Sequence, residues 1–534
     1  MRLVTPKQVN IVDQYIESLG LPVSHLMEHA GRSVFEVVHR YIQEGKGPKG
    51  VLFLCGIGNN GGDALVAARL LAEVPEVTIY VALLGNPEEG STLFQQQWKV
   101  VNTLDDITIR IVTDAMIQSS GNLIPPHVLR NVSVVVDGVF GTGFHGFLPE
   151  PIASIFDQCA EWRSHSDTRT CIAIDIPSGV NGLTGYADFS AFRADETITL
   201  LAPKVGMLFY PGRERVGKLS IGSIGYPFPH QGLWKSEHNW PEIYWNNIES
   251  LHVEPRSPIA HKGTNGHVYI VGGSPGIYGA PILSAEGALR SGAGKVTIVS
   301  RTDELDALRS LSRPEMMIRD SKDVERLDGN STVVIGPGGG RSNRDKNYLL
   351  QCMQSVTDSH MVIDADGLMA IASDLSVLKW CSATLGKEER ALVLTPHFGE
   401  FSALTGIHIR ELYDDPIGYA RAFAEEYRVY VVLKGQPTIL ATPFDAVYIT
   451  TTGNPYMGTG GMGDVLAGVI GCMLNQSLNP MDAMKAINVA IYAHSRAGDL
   501  ALDNLGPGFT PTEVAQRIGR VLRSIDGYKQ DLTL

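Results

Sequence analysis

The sequence predicts two α/β domains, each built on a mainly parallel sheet. Short continuous apolar runs break repeatedly into Gly, Asp and Asn, and amphipathic helical stretches alternate with them. A chain of 534 residues is also too long for a single hydrophobic core.

The elements follow in order. "TPKQVNIVDQYIESLG" and "SHLMEHAGRSVFEVVHRYIQEG" space apolar residues three to four apart and predict two opening helices. "KGVLFLCGIGNNGGD", "NVSVVVDGVFGTG" and "TCIAIDIPSGVNG" are then read as strands buried on both faces, with "DALVAARLLAEV" as a helix between them. Around residues 228–260 the pattern lapses into Pro, Trp and Asn without sustained period, which predicts a boundary. We expect domains at 1–235 and 256–534, joined by a linker at 236–255. Beyond it a second series begins, with "GHVYIVGGSPG", "KVTIVS", "STVVIGPGGG", "HMVIDADG", "ALVLTPHFGE", "VYVVLKGQPTIL" and "GNPYMGTGGMGDVLAGVIG".

The formal charge of −13 disfavours non-specific binding to nucleic acid or an anionic membrane. Six cysteines lie scattered without a CxxC pair, the N-terminus has no apolar signal region, and no run approaches a membrane span. A cytoplasmic chain is expected. Glycine is abundant, 57 residues against roughly 37 at average usage of about 7%.

In an open parallel sheet, ligands bind beyond the carboxyl ends of the strands. In the first half this gathers Asn59, Asn60 and Asp63, then Asp137 with Gly141 to Gly143, then Asp175 and Ser178. Gly61 and Gly62 stand between a strand and a helix expected to start near Asp63, where amides and the helix dipole suit phosphate. The accompanying side chains offer hard oxygen atoms that equally suit a cation such as potassium or calcium.

In the second half Gly458, Gly460, Gly461 and Gly463 allow consecutive amides to form an anion-binding nest before the apolar helix "DVLAGVIGCML". Asp464 lies in its first turn, placed to take a proton from a hydroxyl while the amides stabilise a transferring phosphoryl group. The Gly-Lys-Ser/Thr ending of a Walker loop is absent. Lys434 in "KGQPT" and His397 in "TPHFGE" stand at neighbouring strand ends.

"GNNGGD", "DGVFGTG" and "IDIPSGVNG", followed by "GGSPGIYGAPILSAEGALRSGAGKVT", "IGPGGG", "DADGL", "TPHFGE", "LKGQPT" and "GTGGMGD", resemble the bifunctional NAD(P)H-hydrate repair enzymes in the same order. The resemblance implies a Rossmann-like N-terminal epimerase domain and a ribokinase-like C-terminal dehydratase domain that uses ADP or ATP with magnesium. It places the hydrated cofactor, NADHX or NADPHX, on Asn59, Asn60, Gly61, Gly62 and Asp63, and on Gly141, Thr142, Gly143, Phe144, His145, Gly146 and Phe147. Potassium would be held by Asn60, Asp137 and Ser178, with Asp175 as the acid or base at the epimerising ring. In the second domain Ala280, Gly338, His397 and Asp464 would bind the hydrate, with Asp464 the catalytic base. Lys434, Gly435, Gln436, Pro437 and Thr438, with Gly460, Gly461 and Gly463, would bind the adenine nucleotide. No nucleic acid or membrane partner is implied, and a homo-oligomer is. His29, Ala64, Phe398 and Gly339 depart from the family pattern, which has Asn, Gly, Pro and Leu there. A kinase for a vitamin precursor alcohol or a sugar, releasing a phosphorylated product, is the rival reading of the second half, and a binding or scaffold module without catalysis is that of the first.

Overall fold

The computed structural model describes residues 1–112, 123–227, 242–322, 331–387, 390–475 and 480–525. The chain forms two compact units, Arg2–Trp240 and Pro241–Leu534 with Met1.

The first unit carries strands β1 (Gly50–Cys55), β2 (Thr78–Leu84), β3 (Ile107–Val112), β4 (Val134–Gly138), β5 (Thr170–Ile174), β6 (Glu196–Leu200) and β7 (Lys218–Gly222). They lie in the order β3-β2-β1-β4-β5-β6-β7, every pair parallel. The winding reverses between β1 and β4, which opens a crevice beyond their carboxyl ends. Apolar runs such as "VLFLC" and "VVV" are buried on both faces, as a helix-covered parallel sheet requires. Helix Pro6–Ser18 starts at a capping box between Thr5 and Gln8, and helix Val23–Glu44 buries Leu26, Met27, Ala30, Val34 and Val38.

One boundary differs from the sequence expectation. The helix after β1 runs Asn59–Leu71 and so begins at the first asparagine, not near Asp63. Gly61 and Gly62 therefore lie in its first turn. A Cβ on Gly61 would overlap the Gly56 carbonyl oxygen, and one on Gly62 would come 2.5 Å from Met27 Cε. Close packing explains these two glycines.

The second unit carries β8 (Glu242–Trp245), β9 (His267–Val271), β10 (Lys295–Ser300), β11 (Met317–Asp320), β12 (Ser331–Ile335), β13 (His360–Ile363), β14 (Leu392–Leu394), β15 (Tyr430–Leu433), β16 (Thr438–Ala441) and β17 (Ala446–Thr450). Their order is β11-β10-β9-β12-β13-β14-β15-β16-β17-β8. Winding reverses between β9 and β12, and β15, β16 and β17 pair antiparallel. The segment expected as a linker is corrected here: Glu242–Trp245 is a strand parallel to β17, with Ile243 buried, while 236–241 lie outside the described residues. Four residues amid Pro and Asn are too short to show a period.

Helix Met462–Leu474 crosses the sheet against helix Gly279–Arg290. Gly468 and Gly287 permit this contact: their Cβ atoms would overlap the carbonyl oxygens of Ser284 and Val465. Gly468→Ala is expected to destabilise the second unit by about 1–3 kcal/mol through overpacking, read as a lower urea midpoint for that unit.

Candidate functional site

The crevice between β1 and β4 opens into a cavity of about 740 Å³. Its wall includes Asn59, Asn60 and Asp63 from helix Asn59–Leu71, Gly141, Thr142, Gly143 and Phe144 from the loop after β4, and Asp175 after β5. His145, Gly146 and Phe147 do not join them: Phe147 is 79% exposed and meets Tyr186 edge-on, and His145 Nδ1 lies 3.2 Å from Asn181.

Asp137, near the end of β4, is completely buried. Its carboxylate accepts from Ser178 Oγ at 2.6 Å, Ser178 N at 2.7 Å and Val139 N at 3.1 Å. Burial pushes its pKa up to about 6 against these bonds. Ser178 Oγ accepts from Phe140 N at 2.8 Å, and Asn60 Nδ2 donates to the carbonyls of Phe140 and Ile174 at 3.0 and 3.2 Å. The Asn60 amide oxygen is thereby turned toward Gly141. Ser178 is bonded to Asp137, and Ser178 Oγ also reaches the Phe140 carbonyl, at 3.2 Å, that Asn60 bonds, so the three side chains share one neighbourhood around a carboxylate whose partners are neutral. Such a set suits a hard cation, because a buried charge is costly until compensated.

Asp175 holds a positive φ of 64°, just after β5. Its Oδ1 accepts from Leu200 N at 3.0 Å and from Lys204 Nζ. Lys204 is fully buried and also donates to Leu200 O at 2.8 Å and Thr199 Oγ1 at 3.1 Å. Sequence reasoning missed this lysine; a single cation inside the apolar run "LLAPKVG" was the available signal. It also missed Asp13, which lines the same cavity from helix Pro6–Ser18. His29 packs on Gly225, and the Cβ of Ala64 faces Gly138; neither is among the described residues lining the cavity.

In the second unit the loops after β9 and β12 lock together, with Gly273 N and Ser274 N donating to Gly338 O at 3.0 and 2.8 Å. Gly338 has a φ of 59°, and a Cβ there would stand 3.2 Å from Ala280 Cβ, so these two expected hydrate contacts adjoin. Gly339 leaves room for Leu349, whose Cδ1 would be 2.8 Å from any Cβ at 339. Phe398 stacks on Tyr413 at 4.3 Å and covers Gly435.

Gly461, with a φ of 98°, is the N-cap of helix Met462–Leu474, and Asp464 lies in its first turn. Burial pushes Asp464 up to about 7; Asp364 adds to the rise and Lys434 opposes it. Lys434 Nζ donates to Asp364 Oδ1 at 2.7 Å, lies 3.9 Å from Glu400 Oε2, and would be 3.0 Å from a Cβ on Gly463. The ammonium therefore sits beside the nest. Asp364 is 1% exposed and accepts also from Thr395 Oγ1 at 2.7 Å. The tail of "HMVIDADG" supplies it, a residue absent from the sequence-derived site. His397 caps helix Phe398–Thr405: its Nδ1 accepts from Glu400 N at 3.1 Å, and its own N donates to Glu400 Oε2 at 2.9 Å. Gln436 Nε2 donates to the carbonyls of Thr451 and Gly453 at 3.2 and 3.1 Å, and Thr438 Oγ1 donates to Gly435 O at 3.1 Å. The face of Gly460 is open.

Breaking a buried ion pair by removing one partner strands the other charge. Lys204→Met is expected to cost the first unit about 3–5 kcal/mol, read by urea unfolding, and Lys204→Met with Asp175→Asn should recover part of it.

Comparison with known proteins gives the same division of the chain. Residues 23–206 match the family described as YjeF-related protein N-terminus, and 268–520 match that of NAD(P)H-hydrate dehydratase. The bifunctional NAD(P)H-hydrate repair enzyme Nnr of Moorella thermoacetica is 33% identical over 527 residues, spanning 95% of this chain and 93% of that protein. Its namesake in Escherichia coli is 32% identical over 513 residues, spanning 94% and 90%. A crystal structure of the ADP/ATP-dependent NAD(P)H-hydrate dehydratase from Bacillus subtilis, co-crystallised with ATP/Mg2+, is similar at 28% identity and a TM-score of 0.46. It covers 53% of this chain and 99% of that one. With full-length relatives above 30% identity and an epimerase unit preceding a dehydratase unit, the chain belongs to the bifunctional NAD(P)H-hydrate repair enzymes.

Proposed function

We propose that the first unit equilibrates the R and S epimers of hydrated NADH and NADPH at Asp175. The second unit then dehydrates the S epimer, with Asp464 as base and ADP or ATP as phosphoryl donor. The observation that carries the dehydratase assignment is Asp464 itself, a carboxyl group in the first turn of a helix whose N-terminus is a glycine nest, beside the Lys434 ammonium.

The chemistry follows from that placement. Asp464 removes the proton of the ring hydroxyl, whose oxygen attacks the terminal phosphorus of the nucleotide. The amides of Gly460, Gly461 and Gly463 and the Lys434 ammonium offset charge on the phosphoryl group, at a helix end suited to anions. The carbon–oxygen bond then breaks with phosphate as leaving group, and loss of a ring proton restores NADH or NADPH. Ala280, Gly338 and His397 line the hydrate side; Gly435 to Thr438 the nucleotide side. Magnesium would arrive on the nucleotide, since among the described residues no three His, Cys, Asp or Glu converge on a metal position, and magnesium is commonly shared with substrate phosphates.

In the first unit Asn59 to Asp63 and Gly141 to Phe144 receive the hydrate, with His145 to Phe147 at the outer margin. Asn60, Asp137 and Ser178 would hold potassium, which would supply a positive counter-charge to the buried Asp137 carboxylate. The proposed setting is the cytoplasm: all six cysteines are free and buried, as in a reducing compartment. Among the described residues no helix is long and apolar enough to cross a membrane. A homo-oligomer is proposed on the family resemblance alone.

Hydrated NADH incubated with the full chain and either ADP or ATP should regain reduced-nicotinamide absorbance without accumulating a phosphorylated product; no recovery with either nucleotide rejects the reading, and a stable phosphorylated product points to a kinase. Asp464→Asn is expected to slow dehydration at least ~100-fold while nucleotide binding by calorimetry is kept. A base works only when ionised, so wild-type kcat/KM for dehydration should fall as pH drops below about 7. Asp175→Ala should reduce epimer equilibration to the spontaneous rate, followed by separating the epimers chromatographically.

A further inference from the structure

The first cavity contains a carboxyl group that the scheme above leaves unused. Asp13 sits four residues after Val9, on the inward stripe of helix Pro6–Ser18 between the buried Val12 and Ile16. The capping box at the start of that helix, Thr5 N to Gln8 Oε1 at 2.8 Å and Gln8 N to Thr5 Oγ1 at 3.3 Å, fixes its position. A carboxylate on an inward stripe is unusual, and here the stripe faces the cavity.

Its charged neighbours come from three elements: Asp63 from helix Asn59–Leu71, Asp175 after β5 and Lys204 after β6. Helix Val23–Glu44 closes the remaining side with the apolar Leu26, Met27 and Ala30. One ammonium thus faces three carboxyl groups. Lys204 donates to Asp175. Burial pushes Asp13 up to about 6, with Asp175 adding to the rise and Lys204 opposing it. Asp63 is pushed well above its ordinary value by burial first, then by the same carboxylates.

Inverting a carbon that bears a hydroxyl beside a ring nitrogen needs an acid for the departing oxygen and a base for the water that returns. We propose that Asp13 is a second catalytic acid–base of the epimerase unit, working on the same ring as Asp175. The Asp13 carboxyl gives its proton to the hydroxyl; the carbon–oxygen bond breaks, its electron pair leaving as water, and the ring-nitrogen lone pair forms a C=N⁺ bond. Water then adds to the opposite face, the C=N⁺ pair returns to nitrogen, and Asp175 takes the released proton. Solvent exchange returns the proton to Asp13.

This inference rests on the epimerase reading of the first unit. The test uses the full chain and R-hydrate, with equilibration measured against pH for wild type, Asp13→Asn and Asp13→Glu, and dehydration of the S epimer as an internal control. Asp13→Asn is expected to slow equilibration at least ~100-fold and abolish the limb near pH 6, while Asp13→Glu retains activity with a displaced limb. Equilibration by Asp13→Asn within a few-fold of wild type, or an unmoved limb in Asp13→Glu, overturns the proposal. If Asp13→Asn loses the first unit's unfolding transition, Asp13→Glu alone decides. A wild type that does not equilibrate the epimers rejects the epimerase reading and Asp13 with it; an active wild type beside an equally active Asp13→Asn removes only Asp13.

Discussion

Both sites depend on one topological constraint. Where the winding of a parallel sheet reverses, the connections from two adjacent strands leave to opposite faces, and no helix covers the gap between their carboxyl ends. The reversals fall at β1/β4 and β9/β12. In the first unit the pair brings Asn60 and Ser178, the partner of Asp137, onto the Phe140 carbonyl; in the second it interlocks Gly273, Ser274 and Gly338. The chemistry is assembled from residues remote in sequence because these strand ends leave no alternative place for a polar cluster.

The crevices are charged, and each uses a lysine to make this tolerable. Lys204 is completely buried against Asp175, and Lys434 is held by Asp364 with Glu400 behind it. In each unit the carboxyl groups outnumber the ammonium, and some carry raised pKa values: Asp63 and Asp13 in one, Asp464 in the other. Desolvation is the main cause at all three. The same burial that costs stability brings Asp13 and Asp464 toward neutrality, where proton transfer is most efficient.

The glycines divide into two groups that composition does not separate. Gly61, Gly62, Gly287, Gly468 and Gly471 exist because a neighbouring backbone or side chain occupies the space of a Cβ. Gly460 has open space, and Gly461 needs a left-handed φ to begin its helix. Within "GTGGMGDVLAGVIG", the earlier glycines shape the anion site and the later ones press that helix onto its neighbour.

The sequence by itself determined the two α/β units, most strand ends, and the placement of Asp464 in a first helical turn, because these depend on local periodicity and on residues adjacent in the chain. It also carried the family pattern. The tertiary structure alone decided the pairing of Asp175 with Lys204, the holding of Lys434 by Asp364, the presence of Asp13 in the lining of the first cavity, and that His145 to Phe147 do not contribute to that lining. These are through-space relations between separate elements, set by strand order and helix packing. Strand β8 was hidden for a different reason: four residues are too few to display a period, and only its partner β17 gives them a sheet to join.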